Sequence, residues 1–150
     1  MKHDSLLLRL VRGAGAGIAG TFAIQNAMKA QRKLLPATTP PMRQDPADFM
    51  LEHMPIEIPE KAEPLAKKAM QLGYGITFGT LYGALRKHPR NVMLEGTLLG
   101  LGTWAIGYLG WLPKTGLLPS PKEQTPAQIS GPIATHLVFG IATVGAYART

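Results

Sequence analysis

Twenty-two consecutive residues, Asn91–Leu112, constrain this chain more than any other stretch. The run NVMLEGTLLGLGTWAIGYLGWL has no proline and one charge, Glu95. As an α-helix rising about 1.5 Å per residue it would be roughly 33 Å long, enough to cross the hydrocarbon of a bilayer. Five of its residues are glycine: Gly96, Gly100, Gly102, Gly107 and Gly110. In a water-soluble helix each would cost about 1 kcal/mol relative to alanine. In lipid an unpaired backbone group costs more, so the helix persists and glycine becomes a surface for close packing. The expectation is a membrane-spanning helix pressed against neighbours.

The rest of the chain is segregated in the same way. Fifteen of the seventeen glycines fall in four apolar segments, 13–30, 69–85, 91–112 and 133–148, and all thirteen prolines fall outside them. Those segments contain only two charges, Lys29 and Glu95. The pattern predicts an all-α fold in a single membrane domain, 1–150. It would be an integral membrane bundle of four transmembrane helices with glycine-mediated packing. The expected spans are about 10–30, 65–86, 91–112 and 127–148. The first is read as a retained span rather than a cleaved signal peptide, because its apolar core is rich in Gly and Ala and lacks a following A-x-A site. Gly13 and Gly17 form one GxxxG pair. Gly75, Gly79 and Gly83 form a double one beside an aromatic ridge of Tyr74, Phe78 and Tyr82, and Gly96 and Gly100 repeat the spacing. The usual meaning is packing within the chain, though the same face would serve a homodimer.

Three connections separate the spans. Residues 31–64 hold seven prolines and six acids, with a short helix expected from Asp45 as N-cap and Pro46 at N1. Whether this connection lies over the bundle or is a flexible linker is open at this level. Glu63 and Lys67 are spaced as an i,i+4 pair. The turn 86–90, RKHPR, is short and cationic, and short loops are where the positive-inside bias is best read. It is placed on the cytoplasmic side, with both termini. Residues 113–132 follow Trp104, Tyr108 and Trp111, which suit an aromatic belt of interface anchors. Thr125 and Gln128 fit a capping box, with Pro132 predicting either a kink or a helix that begins at Ser130.

The formal charge is +7. The cations sit at segment ends, which favours membrane orientation and anionic head groups over nucleic acid. There is no cysteine, so disulfides and thiolate sites are excluded. Two ionisable residues fall inside apolar segments, Glu95 and His136. Either could serve ion or proton movement or interhelical polar contact. Glu95 follows the N-cap Asn91 closely and has Arg86, Lys87 and Arg90 nearby, which favours an interfacial structural role. His136 is expected to bond a hydroxyl or carbonyl of a neighbouring helix, with Thr103 or Thr77 at similar depth. No HExxH, Walker loop or Ser–His–Asp set is present, and the GAGAG at 13–17 has no preceding strand. No catalytic residue, metal or cofactor is expected, and an enzyme is the least favoured class.

RGAGAGIAGT, GYGITFGTLYGAL, EGTLLGLGTWAIGYLGWLP with the following GLLP, and THLVFG around His136 together resemble the YagU-like group of small bacterial inner-membrane proteins. Thr135 departs from the small apolar residue expected there. The resemblance implies a multi-pass inner-membrane protein of unassigned mechanism, with a role in acid stress as one expectation, and supplies no catalytic residues. The favoured function is a non-enzymatic accessory or assembly protein. The alternative is a small oligomeric proton-linked transporter or channel using Glu95 or His136. The expected partners are the lipid bilayer and either a second copy or another membrane protein.

Overall fold

Side chains that accept orphan backbone N–H groups decide where the helices begin. The computed structural model describes residues 5–150, and every regular element in that range is helical. α1 is Leu6–Leu34, opened by Ser5, whose Oγ accepts from Leu8 N at 3.2 Å. α2, Pro46–Glu52, is capped by Asp45, which accepts from Ala47 N at 2.8 Å. α3 is Glu63–Leu85. α4, Val92–Lys114, starts at Asn91, whose Oδ1 accepts from Leu94 N at 3.0 Å. α5, Pro126–Ala148, opens on a reciprocal box. Thr125 Oγ1 accepts from Gln128 N, and Gln128 Oε1 accepts from Thr125 N.

Two helices depart from the simplest expectation. α5 does not begin at Ser130; it runs from Pro126 through the proline. The ring removes one N–H, while the Pro132 carbonyl gains side-chain partners in Thr135 Oγ1 at 3.0 Å and His136 Nδ1 at 2.8 Å. α4 is not α-helical throughout: Ala105–Trp111 is wound as a π-helix, each turn holding an extra residue. It ends in a Schellman motif. Gly116, at φ 75°, donates to Pro113 O at 3.1 Å, and Leu117 N donates to Leu112 O at 3.1 Å. Leu112 and Leu117 also share an apolar cluster, the hydrophobic contact that usually accompanies this cap.

The four long helices pack in the spatial order α3, α1, α5, α4. α1 and α3 are antiparallel, with Gly13 against Gly79 and Gly17 against Gly75. α4 and α5 are antiparallel, with Gly96 against Gly140 and Ile141, and Gly100 against His136 and Leu137. α1 and α5 close the middle, where Gly20 meets Thr143 and Phe139. α3 and α4, adjacent in sequence, reach each other through side chains. Tyr74 donates to Thr103 O at 3.2 Å, and Tyr82 donates to Glu95. Ser5, the 86–91 turn and residues 149–150 therefore share one end of the bundle, here the turn end. The two longer connections share the opposite end.

Those connections are folded onto the bundle. Met42 and Phe49 pack on a cluster of Tyr108, Leu112, Leu117 and Leu118, and Arg43 N donates to Leu117 O at 3.0 Å. Lys67 pairs with Asp48 of α2 rather than with Glu63 of its own helix, because α2 lies against the start of α3. Three helices are long and apolar enough to cross a membrane: Leu6–Leu34, Val92–Lys114 and Pro126–Ala148. α3 is not among them; Lys67, Lys68 and Gln71 dilute its first half.

Candidate functional site

The densest polar arrangement lies at the turn end and draws on all four long helices. Glu95 is one turn into α4 and is 7% exposed. Its Oε2 accepts from the Tyr82 hydroxyl at 2.6 Å, and its Oε1 accepts from Arg90 N at 2.8 Å. The Arg86 Nε stands 3.3 Å from Oε2. Tyr82 is in turn 8% exposed and meets Tyr147 of α5 edge-on, with ring centroids 5.3 Å apart. The Tyr147 hydroxyl donates to Arg86 O at 2.8 Å, and Arg9 of α1 donates through Nη2 to Ala84 O at 2.9 Å.

Local sequence explains this convergence. The α3–α4 turn is short, so α3 ends one turn after Tyr82 and α4 begins one turn before Glu95. Tyr82 and Arg86 are four apart and share a face of the chain as it leaves α3. Both can therefore reach back to the same carboxylate. The buried charge has a cation, a phenol and a backbone N–H, which is what a desolvated carboxylate requires. Chemically, this is a latch. Both oxygens are engaged, leaving the carboxylate committed to its neighbours. The sequence places Arg86, Lys87 and Arg90 near Glu95; Arg86 supplies its guanidinium, and Lys87 makes no ion pair with Glu95. Arg90 contributes its backbone N–H, and Tyr82 and Tyr147 were missed as partners. The i,i+4 spacing of Tyr82 and Arg86 was the available signal for the first; nothing local points to the second.

His136 is placed differently from expectation. Its Nδ1 is 2.8 Å from Pro132 O, a carbonyl of its own helix, and its ring meets Tyr108 edge-on at 5.5 Å. Thr103 and Thr77 bond carbonyls within their own helices, Gly100 O at 2.9 Å and Gly73 O at 2.8 Å. Each hydroxyl thus spends its only proton on its own helix and donates nothing to His136. His136 and Glu95 are not brought together. Gln25 does reach across, donating to Gln71 Oε1 of α3 at 2.8 Å.

Among the glycines singled out, Gly13, Gly17, Gly75, Gly79, Gly96 and Gly100 each face backbone of another helix, and an added Cβ would run into it. Gly83 faces Arg9 O. Tyr108 turns inward and is 8% exposed, with Trp104 and Trp111 half-buried against its cluster. The apolar turn that follows, Leu117 and Leu118, covers them. Among the described residues no group of three or more His, Asp or Glu could hold a metal ion. Lys2 and His3 lie outside the described residues. No protein-family model, curated protein or solved structure matches this chain.

Proposed function

We propose that this is a multi-spanning membrane protein in which all four long helices, α3 included, cross the bilayer. Its role is that of a non-enzymatic accessory or assembly component. One observation carries the reading: the apolar windows of α1 and α4 are only 28% buried within the molecule, and that of α5 39%. Leu98, Ile106 and Leu109 are all more than half exposed on one helix. Such faces need a covering of hydrocarbon. The seventeen-residue uncharged segment 69–85 of α3 suffices for a span if Lys67 and Lys68 snorkel. The glycine contacts then act as the seams between helices. The cations of the 86–90 turn favour a cytoplasmic turn end. The YagU-like resemblance favours the bacterial inner membrane and a stress-related role.

The chain lacks cysteine, so single cysteines report topology cleanly. Lys61→Cys and Lys87→Cys should react with a membrane-impermeant maleimide from opposite sides, Lys87→Cys from the cytoplasm. Labelling of both from one side would remove α3 from the membrane. Release of the wild-type chain by alkaline carbonate would defeat the membrane reading altogether. The engaged Glu95 oxygens support a structural role over transport. Proton flux in proteoliposomes that Glu95→Gln or His136→Ala abolishes would reverse that judgement.

A further inference from the structure

A cavity of about 310 Å³ lies at the opposite end of the bundle. The last turns of α1, the stretch 39–45, Tyr108 of the π-helical segment, and Pro132 and Thr135 of α5 line it, and it is open to solvent on one side. Its volume falls at the lower end of the range of about 300 to 1,000 Å³ typical of small-molecule pockets. Three polar groups distinguish it from a packing defect. Tyr108 lines the cavity and is more than nine-tenths buried, its hydroxyl making no hydrogen bond to a described residue yet staying within reach of water. A ligand oxygen would displace the water that reaches this hydroxyl and take its hydrogen bond. Arg32, an exposed side chain, lines the rim of the same cavity. Asp45 lines it too. One of its oxygens caps α2 and the other is uncommitted. Arg32 and Asp45 form no ion pair with each other, so both charges are available to a guest. π-helical turns often mark functional sites, because the extra residue re-aims a side chain; here that segment presents Tyr108.

We propose that this cavity binds a zwitterionic phosphoester, its phosphate oxygens on Arg32 and the Tyr108 hydroxyl and its ammonium group against Asp45. The charge set selects the class. A simple anion would face the Asp45 carboxylate and a simple cation would face Arg32, whereas a phosphate with a neighbouring amine answers both. Met28 and Met42 supply apolar wall for whatever the phosphoester carries. That carrier is either a lipid, which rests on the membrane reading above, or a soluble phosphoamine.

The two tryptophans of the chain both lie at this end, and Trp104 stacks on Tyr108 with centroids 6.5 Å apart. Intrinsic fluorescence of the full chain in maltoside detergent therefore reports on the cavity. The titrants are dihexanoylphosphatidylethanolamine, phosphoethanolamine and inorganic phosphate. A saturable change is expected with the first two, weakened about tenfold by Tyr108→Phe and again by Arg32→Gln, about one hydrogen bond to a charged group in each case. Asp45→Asn keeps an oxygen for the cap. It should weaken the zwitterions while leaving inorganic phosphate unchanged or tighter. Tighter binding of the lipid than of phosphoethanolamine identifies the lipid as the source, and equal binding identifies the soluble compound. The proposal falls if neither zwitterion saturates, if Tyr108→Phe and Arg32→Gln both bind as wild type, or if inorganic phosphate binds as tightly as phosphoethanolamine. Carbonate extraction tests the membrane reading independently, so the two failures are distinguishable.

Discussion

The two ends of this bundle solve the same problem in opposite ways. At the turn end the chain reverses in a few residues, and polar groups from four helices converge on it. Glu95, Tyr82, Arg86, the Arg90 N–H and Tyr147 leave little room for a guest. At the opposite end the connections are long and proline-rich, and they are held by apolar contacts around Leu112, Leu117 and Leu118. There a cavity persists, and the buried indole N–H of Trp104 lacks a hydrogen-bond partner. A short connection forces its own polar groups together, and these must be satisfied locally. A long one can be laid over the core by burial alone, which is less directional and leaves space.

If the turn end is part of the global fold, damage to the glycine seam leading into it should have the largest effect. A Cβ at Gly79 would strike the Gly13 carbonyl and the Gly17 backbone. Gly79→Leu should therefore drive α1 and α3 apart and abolish stable accumulation, read as loss of the monodisperse species in detergent. Next comes the latch. Glu95→Ala strands the Tyr82 hydroxyl, the Arg90 N–H and Arg86, and should cost about 1–3 kcal/mol in a cooperative thermal unfolding transition. Tyr82→Phe removes one bond and should cost less, about 1 kcal/mol. Equal melting of wild type and Glu95→Ala would show that the latch is ornamental and erase the contrast between the ends.

At the opposite end the effect should be local. Leu118 is 2% exposed, yet it packs in a small cluster away from the helix seams. Leu118→Ala should destabilise the overlying connection by about 2 kcal/mol. The expected signature is faster protease cleavage between residues 35 and 62 with little change in the global melting midpoint. A large drop in the midpoint would mean that the roof and bundle unfold as one unit.

The sequence carried the helices well and their partners poorly. Alternation of apolar runs with proline-rich connections reports α1, α3, α4 and α5 because composition follows burial. Asn91, Asp45 and the Thr125–Gln128 pair report helix starts because a cap acts over three residues. The π-helical stretch Ala105–Trp111 was illegible: one extra residue per turn leaves composition unchanged, and AIGYLGW suits either winding. The partner of His136 was misjudged because a histidine four residues after Pro132 can satisfy itself on its own helix. Tyr147, sixty-one residues from Arg86, carries no local trace of that contact. The cavity was invisible for the same reason, since Arg32, Asp45 and Tyr108 are assembled only by the folding of the connection.

The smallest expected effect tests whether the surfaces between the two ends face lipid or another protein. Gly100 and Gly102 are two residues apart on α4 and point in different directions. A Cβ at Gly100 would collide with the His136 carbonyl, while a Cβ at Gly102 meets nothing within 4 Å. Gly100→Ala should lower the melting midpoint clearly, because backbone has to move. Gly102→Ala should leave it unchanged or raise it, by at most about 1 kcal/mol from helix propensity. Lipid accommodates a methyl group at no cost, whereas a second helix seated on that face would not. If Gly102→Ala is as damaging as Gly100→Ala, or splits a detergent-stable oligomer into monomers, the outer face of α4 is a protein interface. The bundle would then be one part of a larger assembly, joined through the flank that lies between the closed end and the open one.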